Sequence, residues 1–164
     1  MRSNTVRPGS VEMFAEEASS QLGEPVLAAQ HFYPRGYMKI GPLGRIGRTL
    51  LGKARLDDRL PQFNLLVMTA TRVAVFGVKF SYRSGVTLSG PHGTWQRASV
   101  TATKKRVKLV TGGSPDMDGS GSADRHEQTL LRLSLQTPDG ELGADMLSPG
   151  SRRTRQVARE LAAK

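Results

Sequence analysis

The sequence predicts a mostly β fold with one amphipathic helix at each end, its strands running in antiparallel succession. Three observations predict it. Residues 64–80, NLLVMTATRVAVFGVKF, hold two runs of strand formers around a short polar break, with β-branched residues throughout and no polar stripe at a period of 3.6. Residues 128–147 place two alternating apolar runs on either side of Thr137-Pro-Asp-Gly140, a strong turn. Apart from the Gly-rich stretch 36–60, helical periodicity is confined to the flanks, at residues 10–22 and from Ser148 onward.

Length and composition narrow the classes. A chain of 164 residues suits one domain with a core large enough to need no metal or disulfide staple. It has no cysteine, so thiol nucleophiles, thiolate metal sites and disulfides are excluded. The first twenty residues hold no apolar signal region and no window approaches the roughly 18 apolar residues of a membrane span, so a cytoplasmic protein, at most peripheral to a membrane, is expected.

Charge is segregated. Of 24 Lys and Arg, residues 61–113 hold Arg72, Lys79, Arg83, Arg97, Lys104, Lys105, Arg106 and Lys108 with no acidic residue. Residues 114–150 reverse the sign, and the C-terminal stretch turns basic again, giving +10 overall. Such segregation favours an anionic partner surface, although basic residues also serve simply to solvate outer strand faces.

In chain order, residues 1–9 form a tail. Ser10 can cap a helix to about Leu22, with Val11, Phe14, Ala15, Ala18 and Leu22 on one face and Gly23 as the stop, so residues 1–23 form a tail and helix ahead of a single domain, 24–164. Pro25–Tyr33 reads as a strand carrying His31, a lone histidine without convergent partners and therefore structural. The Gly-rich basic insertion 36–60 follows. In it Ile40, Leu43, Ile46, Leu50 and Leu51 recur at helical spacing between Lys39, Arg45, Arg48, Lys53 and Arg55. That pattern suits an anionic membrane surface, but the interior glycines cost a helix about 1 kcal/mol each, and a flexible, sticky excursion between strands is the preferred reading. Its glycines match no nucleotide-binding loop.

The central hairpin assigns Ala74, Phe76, Val78 and Phe80 to one face, the core face, against Val73, Val75, Gly77 and Lys79. A short strand at 86–88, a strand at Thr94–Ala102 with the only tryptophan, Trp95, and a basic strand at Lys105–Thr111 come next. Trp95 is expected in the core or at its rim, since one aromatic makes no nucleic-acid track. The flexible acidic loop 112–127 matches a calcium-binding loop at Asp116, Asp118, Ser120, Asp124 and Glu127, with Gly121 at the turn. Gly112 to Pro115 forbid the helix that should enter such a loop, and a mobile hairpin loop is the preferred reading. Strands at 128–136 and 141–147 lead to a closing helix, with Ser148 as cap, Pro149 at its first position and Thr154, Val157, Ala158 and Leu161 as its apolar stripe.

LLVMTATRVAVFGVKF, then GTWQRASVTA, then LLRLSLQTPDGELGADM and the closing helix resemble, in order and spacing over residues 24–162, small bacterial pleckstrin-homology-like (PH-like) proteins, those of actinobacteria especially. The resemblance implies a bent antiparallel sheet, a partly open barrel of about seven strands rolled around Phe76, Phe80 and the leucines near 133 and plugged by the C-terminal helix. No ligand motif of that family is recognisable, so the resemblance assigns no site residue.

No catalytic constellation is legible: no G-x-S-x-G, no H-E-x-x-H, and His31, His92 and His126 are scattered. The sequence therefore predicts a non-catalytic interaction module without cofactor. It meets a protein partner or an anionic membrane through Lys39, Arg45, Arg48, Lys53, Arg55, Arg97, Lys104, Lys105, Arg106 and Lys108. Nucleic acid along Arg97 to Lys108 and a homo-oligomer through a free sheet edge are the alternatives.

Overall fold

Ser10 opens the first helix as its position predicts: its Oγ accepts from the Met13 N–H at 3.3 Å and caps α1 (Val11–Leu22). The stop is Gly23, at φ +69°, whose N–H returns to the Ser19 carbonyl at 2.9 Å, a left-handed C-cap that glycine adopts without penalty. The computed structural model describes residues 10–35, 59–83, 85–111 and 126–163. The expected tail, most of the Gly-rich insertion and the acidic loop up to residue 125 lie outside the described residues.

Seven strands follow: β1 (Ala28–Pro34), β2 (Asn64–Met68), β3 (Arg72–Ser81), β4 (Gly85–Gln96), β5 (Thr101–Thr111), β6 (His126–Thr137) and β7 (Gly140–Leu147). Helix α2 (Arg152–Ala162) ends the described chain. The sheet order is β4-β3-β2-β1-β7-β6-β5, antiparallel throughout. β1 is shared. Its residues 28–32 pair with β2, and only Tyr33 and Pro34 pair with β7, opposite Asp145 and Ala144. The two half-sheets fold toward each other along this strand, because the apolar faces of both must leave water.

Between them lies the inner cluster: Phe32, Leu66, Met68, Val73, Val75, Trp95, Leu133, Leu135, Leu142 and Met146, with Val157 of α2 at 0% exposure and Ala158 and Leu161 packed alongside. Each such side chain contributes about 1.5–3 kcal/mol by leaving water. A second cluster occupies the other side of β1–β4, where Phe14, Ala18 and Leu22 of α1 cover Leu65, Val67, Ala74, Phe76 and Val78.

This second layer corrects the expected core. Phe76 does not face the leucines near 133; it lies under α1, and Val73 and Val75 line the interior instead. Both faces of the hairpin are buried because α1 covers the outer one, which also explains why β2 reads as an unbroken apolar run. The side chain of Phe80 is not among those described.

Three boundaries also move. β4 runs unbroken through Gly90 and Pro91, the register slipping between Val75 and Val78 to admit them, so the short strand at 86–88 and the start of the Thr94–Ala102 strand are one element. The Thr94–Ala102 strand is itself broken by a 3₁₀ turn at Arg97–Ser99, where the chain crosses to the second half-sheet. The cap of α2 is Ser151, not Ser148; its Oγ accepts from the Thr154 N–H at 3.2 Å. Ser148 takes φ +53° and turns the chain out of β7.

Candidate functional site

β5 and β4 end the sheet order, so β5 pairs with β6 and presents its other edge without a strand partner among the described residues. Four of the expected cations lie on it, at Lys104, Lys105, Arg106 and Lys108, all exposed. Cross-strand partners share a face, so the register fixes where each projects. Lys104 and Arg106 oppose Leu133 and Leu131 and share the concave side; Lys105 opposes Arg132 on the convex side. The edge is therefore cationic on both faces. None of Lys104, Lys105 and Arg106 forms an ion pair among the described residues.

The neighbouring strands do not extend that charge. Arg132 is closed by Asp145 in a two-pronged pair at 2.7 and 2.8 Å, and this carboxylate, at 0% residue exposure, holds the guanidinium above its ordinary pKa. Arg35 is engaged by Glu141 at 3.0 Å and by the Ser134 hydroxyl. Next to these neutralised pairs, Lys104, Lys105 and Arg106 stand out along one strand.

Arg97, grouped with them in the sequence, is taken elsewhere. Its guanidinium donates to Glu160 Oε2 at 2.9 Å, to the Glu160 carbonyl and to the Thr69 carbonyl at 3.2 Å, clamping the end of α2 to the β2–β3 turn. Lys39, Arg45, Arg48, Lys53 and Arg55 lie outside the described residues. So do Asp116, Asp118, Ser120 and Asp124 of the calcium-loop match, while Glu127 falls in β6 with its backbone opposite Val110. Among the described residues no three His, Asp or Glu side chains converge to hold a metal.

A feature the sequence did not disclose lies on the convex side of β1–β3. There α1 and the start of α2 enclose a cavity of about 620 Å³. Phe14, Tyr33, Phe63, Val78 and Val86 form its apolar wall, and Ser148, Ser151 and Arg153 its polar rim. Two aromatic contacts shape it: Phe14 meets His31 edge-on at 5.7 Å and 86°, and Tyr33 tilts against Phe63 at 5.3 Å. Burial pushes the His31 imidazole below its ordinary pKa against a smaller opposing hydrogen bond with the Asn64 backbone, which leaves it neutral at pH 7. Arg153 is ion-paired with Glu12 across the rim. The chain separation of Phe14, Phe63 and Arg153 is what hid the cavity, since only the docked helices bring them together.

Compared with known proteins, the chain matches no family model, no curated protein and no solved structure.

Proposed function

We propose that the chain is a non-catalytic interaction module, PH-like in architecture, that takes an acidic, extended segment of a protein partner along β5. The β4-β3-β2-β1-β7-β6-β5 order closed by a C-terminal helix supports the architecture. One observation carries the function: a strand edge without a strand partner among the described residues, bearing Lys104, Lys105 and Arg106, none of them neutralised among those residues. Edge N–H and C=O groups give an incoming strand its affinity, and side chains alternating between two faces select its charges. An acidic strand matches both, whereas a flat anionic membrane would use only one face of the edge.

The test offers the protein a fluorescent peptide with glutamate at alternate positions, anionic and neutral vesicles, and duplex DNA, each at low and physiological salt. Peptide binding that weakens at least tenfold in the K104E/K105E/R106E variant is the expected result. Sedimentation with anionic vesicles, or retardation of DNA, in the absence of peptide binding would overturn it and point to a membrane or nucleic-acid partner instead. The only tryptophan offers nucleic acid no stacking platform, for Trp95 is buried in the inner cluster.

A further inference from the structure

We propose that the cavity between α1 and the start of α2 binds a small amphiphilic carboxylate, its apolar body against Phe14, Tyr33, Phe63 and Val86 and its carboxylate on Arg153. The site is separate from β5 and does not depend on the role assigned to that strand.

A volume of about 620 Å³ falls within the range of roughly 300–1,000 Å³ typical of small-molecule sites, and the division into an apolar wall with a few polar groups at one end is their usual chemistry. The choice of a carboxylate follows from charge. Arg153 is the one side chain among the described lining that carries a full charge at pH 7, because His31 is held neutral by its burial. Arg152 and Arg155, both exposed on the same helix, add positive potential nearby.

Arg153 already holds a carboxylate, and that contact shows which group fits. Its partner Glu12 stands in the first turn of α1, with the two side chains 48% and 52% exposed. An ion pair so open to water is a weak one, screened by solvent on both sides. A ligand whose carboxylate reaches the same guanidinium and also buries an apolar body replaces Glu12 with a net gain. The pair thus acts as an internal competitor, and its removal has a predictable sign. The rim hydroxyl of Ser148, on the turn that φ +53° creates, offers a donor beside the same end of the cavity.

Isothermal titration of the full chain with decanoate and with decanol, each below its aggregation limit, tests the proposal. Decanoate is expected to bind at least tenfold more tightly than decanol. Arg153→Gln should erase that difference, and Glu12→Gln should tighten decanoate severalfold by freeing the guanidinium. Val86→Trp should block both ligands while circular dichroism stays unchanged. Equal binding of the two ligands, no binding of decanoate, or a decanoate affinity indifferent to both Arg153→Gln and Glu12→Gln would overturn it. Glu12 is exposed, so its variant tests the idea even where a cavity-filling change disturbs folding.

Discussion

Trp95 Nε1 donates to Asp139 Oδ2 at 2.7 Å, joining the end of β4 to the β6–β7 turn. The bond spans the open side of the fold, where β4 and β5 have no strand between them. Trp95 folds back over Gly93, whose absent side chain leaves the room: a Cβ there would stand 2.3 Å from the indole. The ring belongs to the inner cluster at 5% exposure, so its N–H depends on this one partner. Asp139→Ala should therefore cost about 1–3 kcal/mol, the penalty of leaving a buried donor unsatisfied. Because Trp95 is the only tryptophan, urea unfolding followed by its fluorescence reports loss of the bond and of stability together. A midpoint unchanged from the parent would show that water replaces the carboxylate at no cost.

Phe14 is fully buried and carries α1 onto the convex face. Truncating a buried aromatic leaves a void that a docked helix cannot easily collapse, so Phe14→Ala should cost about 3–5 kcal/mol or release α1 altogether. Glu24 provides a second tether. It accepts from the Thr69 and Thr71 hydroxyls at 2.5 and 2.7 Å and pairs with Arg72 at 3.3 Å, tying the link after α1 to the β2–β3 turn. Release would expose Leu65, Val67 and Phe76, so dye binding to apolar surface, together with loss of helical ellipticity, separates detachment from simple weakening. No rise in dye binding and a loss below 1 kcal/mol would mean that α1 contributes little.

Much of this arrangement was legible in the chain, and the exceptions share a cause. The cap pair Ser10 and Gly23, the TPDG turn and the stripe of Thr154, Val157, Ala158 and Leu161 are local signals, each set by residues within one or two turns. Phe76 is buried as expected but under α1 and not beside Leu133, because periodicity separates the two faces of a strand but cannot say that both are covered. Ser148-Pro149 had the composition of a helix start, yet tertiary placement of β7 put the cap three residues later, at Ser151. Arg97 looked like its basic neighbours, and only the position of Glu160, 63 residues on, removes it from the cationic edge. The cavity draws its lining from segments spread between Phe14 and Arg153 and leaves no local trace.

Acid should weaken the fold in two stages. His31 is held below its ordinary value of 6.5 by burial, so below pH 6.5 the unfolded chain takes up a proton that the native one resists, and stability falls. Glu24 is held below 4.5, chiefly by the Thr69 and Thr71 hydroxyls with help from Arg72; its contribution is complete above that pH and is lost as pH falls through the depressed native value. Unfolding midpoints measured from pH 7.5 to 3.5 should show both steps. His31→Gln should flatten the upper one and Glu24→Gln the lower one. An upper step that survives in His31→Gln would assign it to another group.

The cations of β5 should also keep the edge from pairing with copies of itself. In an antiparallel approach of two β5 edges, Lys104, Lys105 and Arg106 of each chain meet their counterparts, and like charges placed opposite one another destabilise the pairing. The same residues touch no carboxylate among the described ones, so the fold does not need them for stability. Replacing all three by serine should leave the unfolding free energy within about 0.5 kcal/mol of the parent, as for surface changes generally. Light scattering should nevertheless show association that grows with concentration, since the backbone groups of the edge lose their guard. Replacement by glutamate should reverse that association and abolish binding of the glutamate-bearing peptide. A serine variant that stays monomeric at high concentration would mean that the edge is covered in solution, and the docking assigned to it would then fail for want of a free strand.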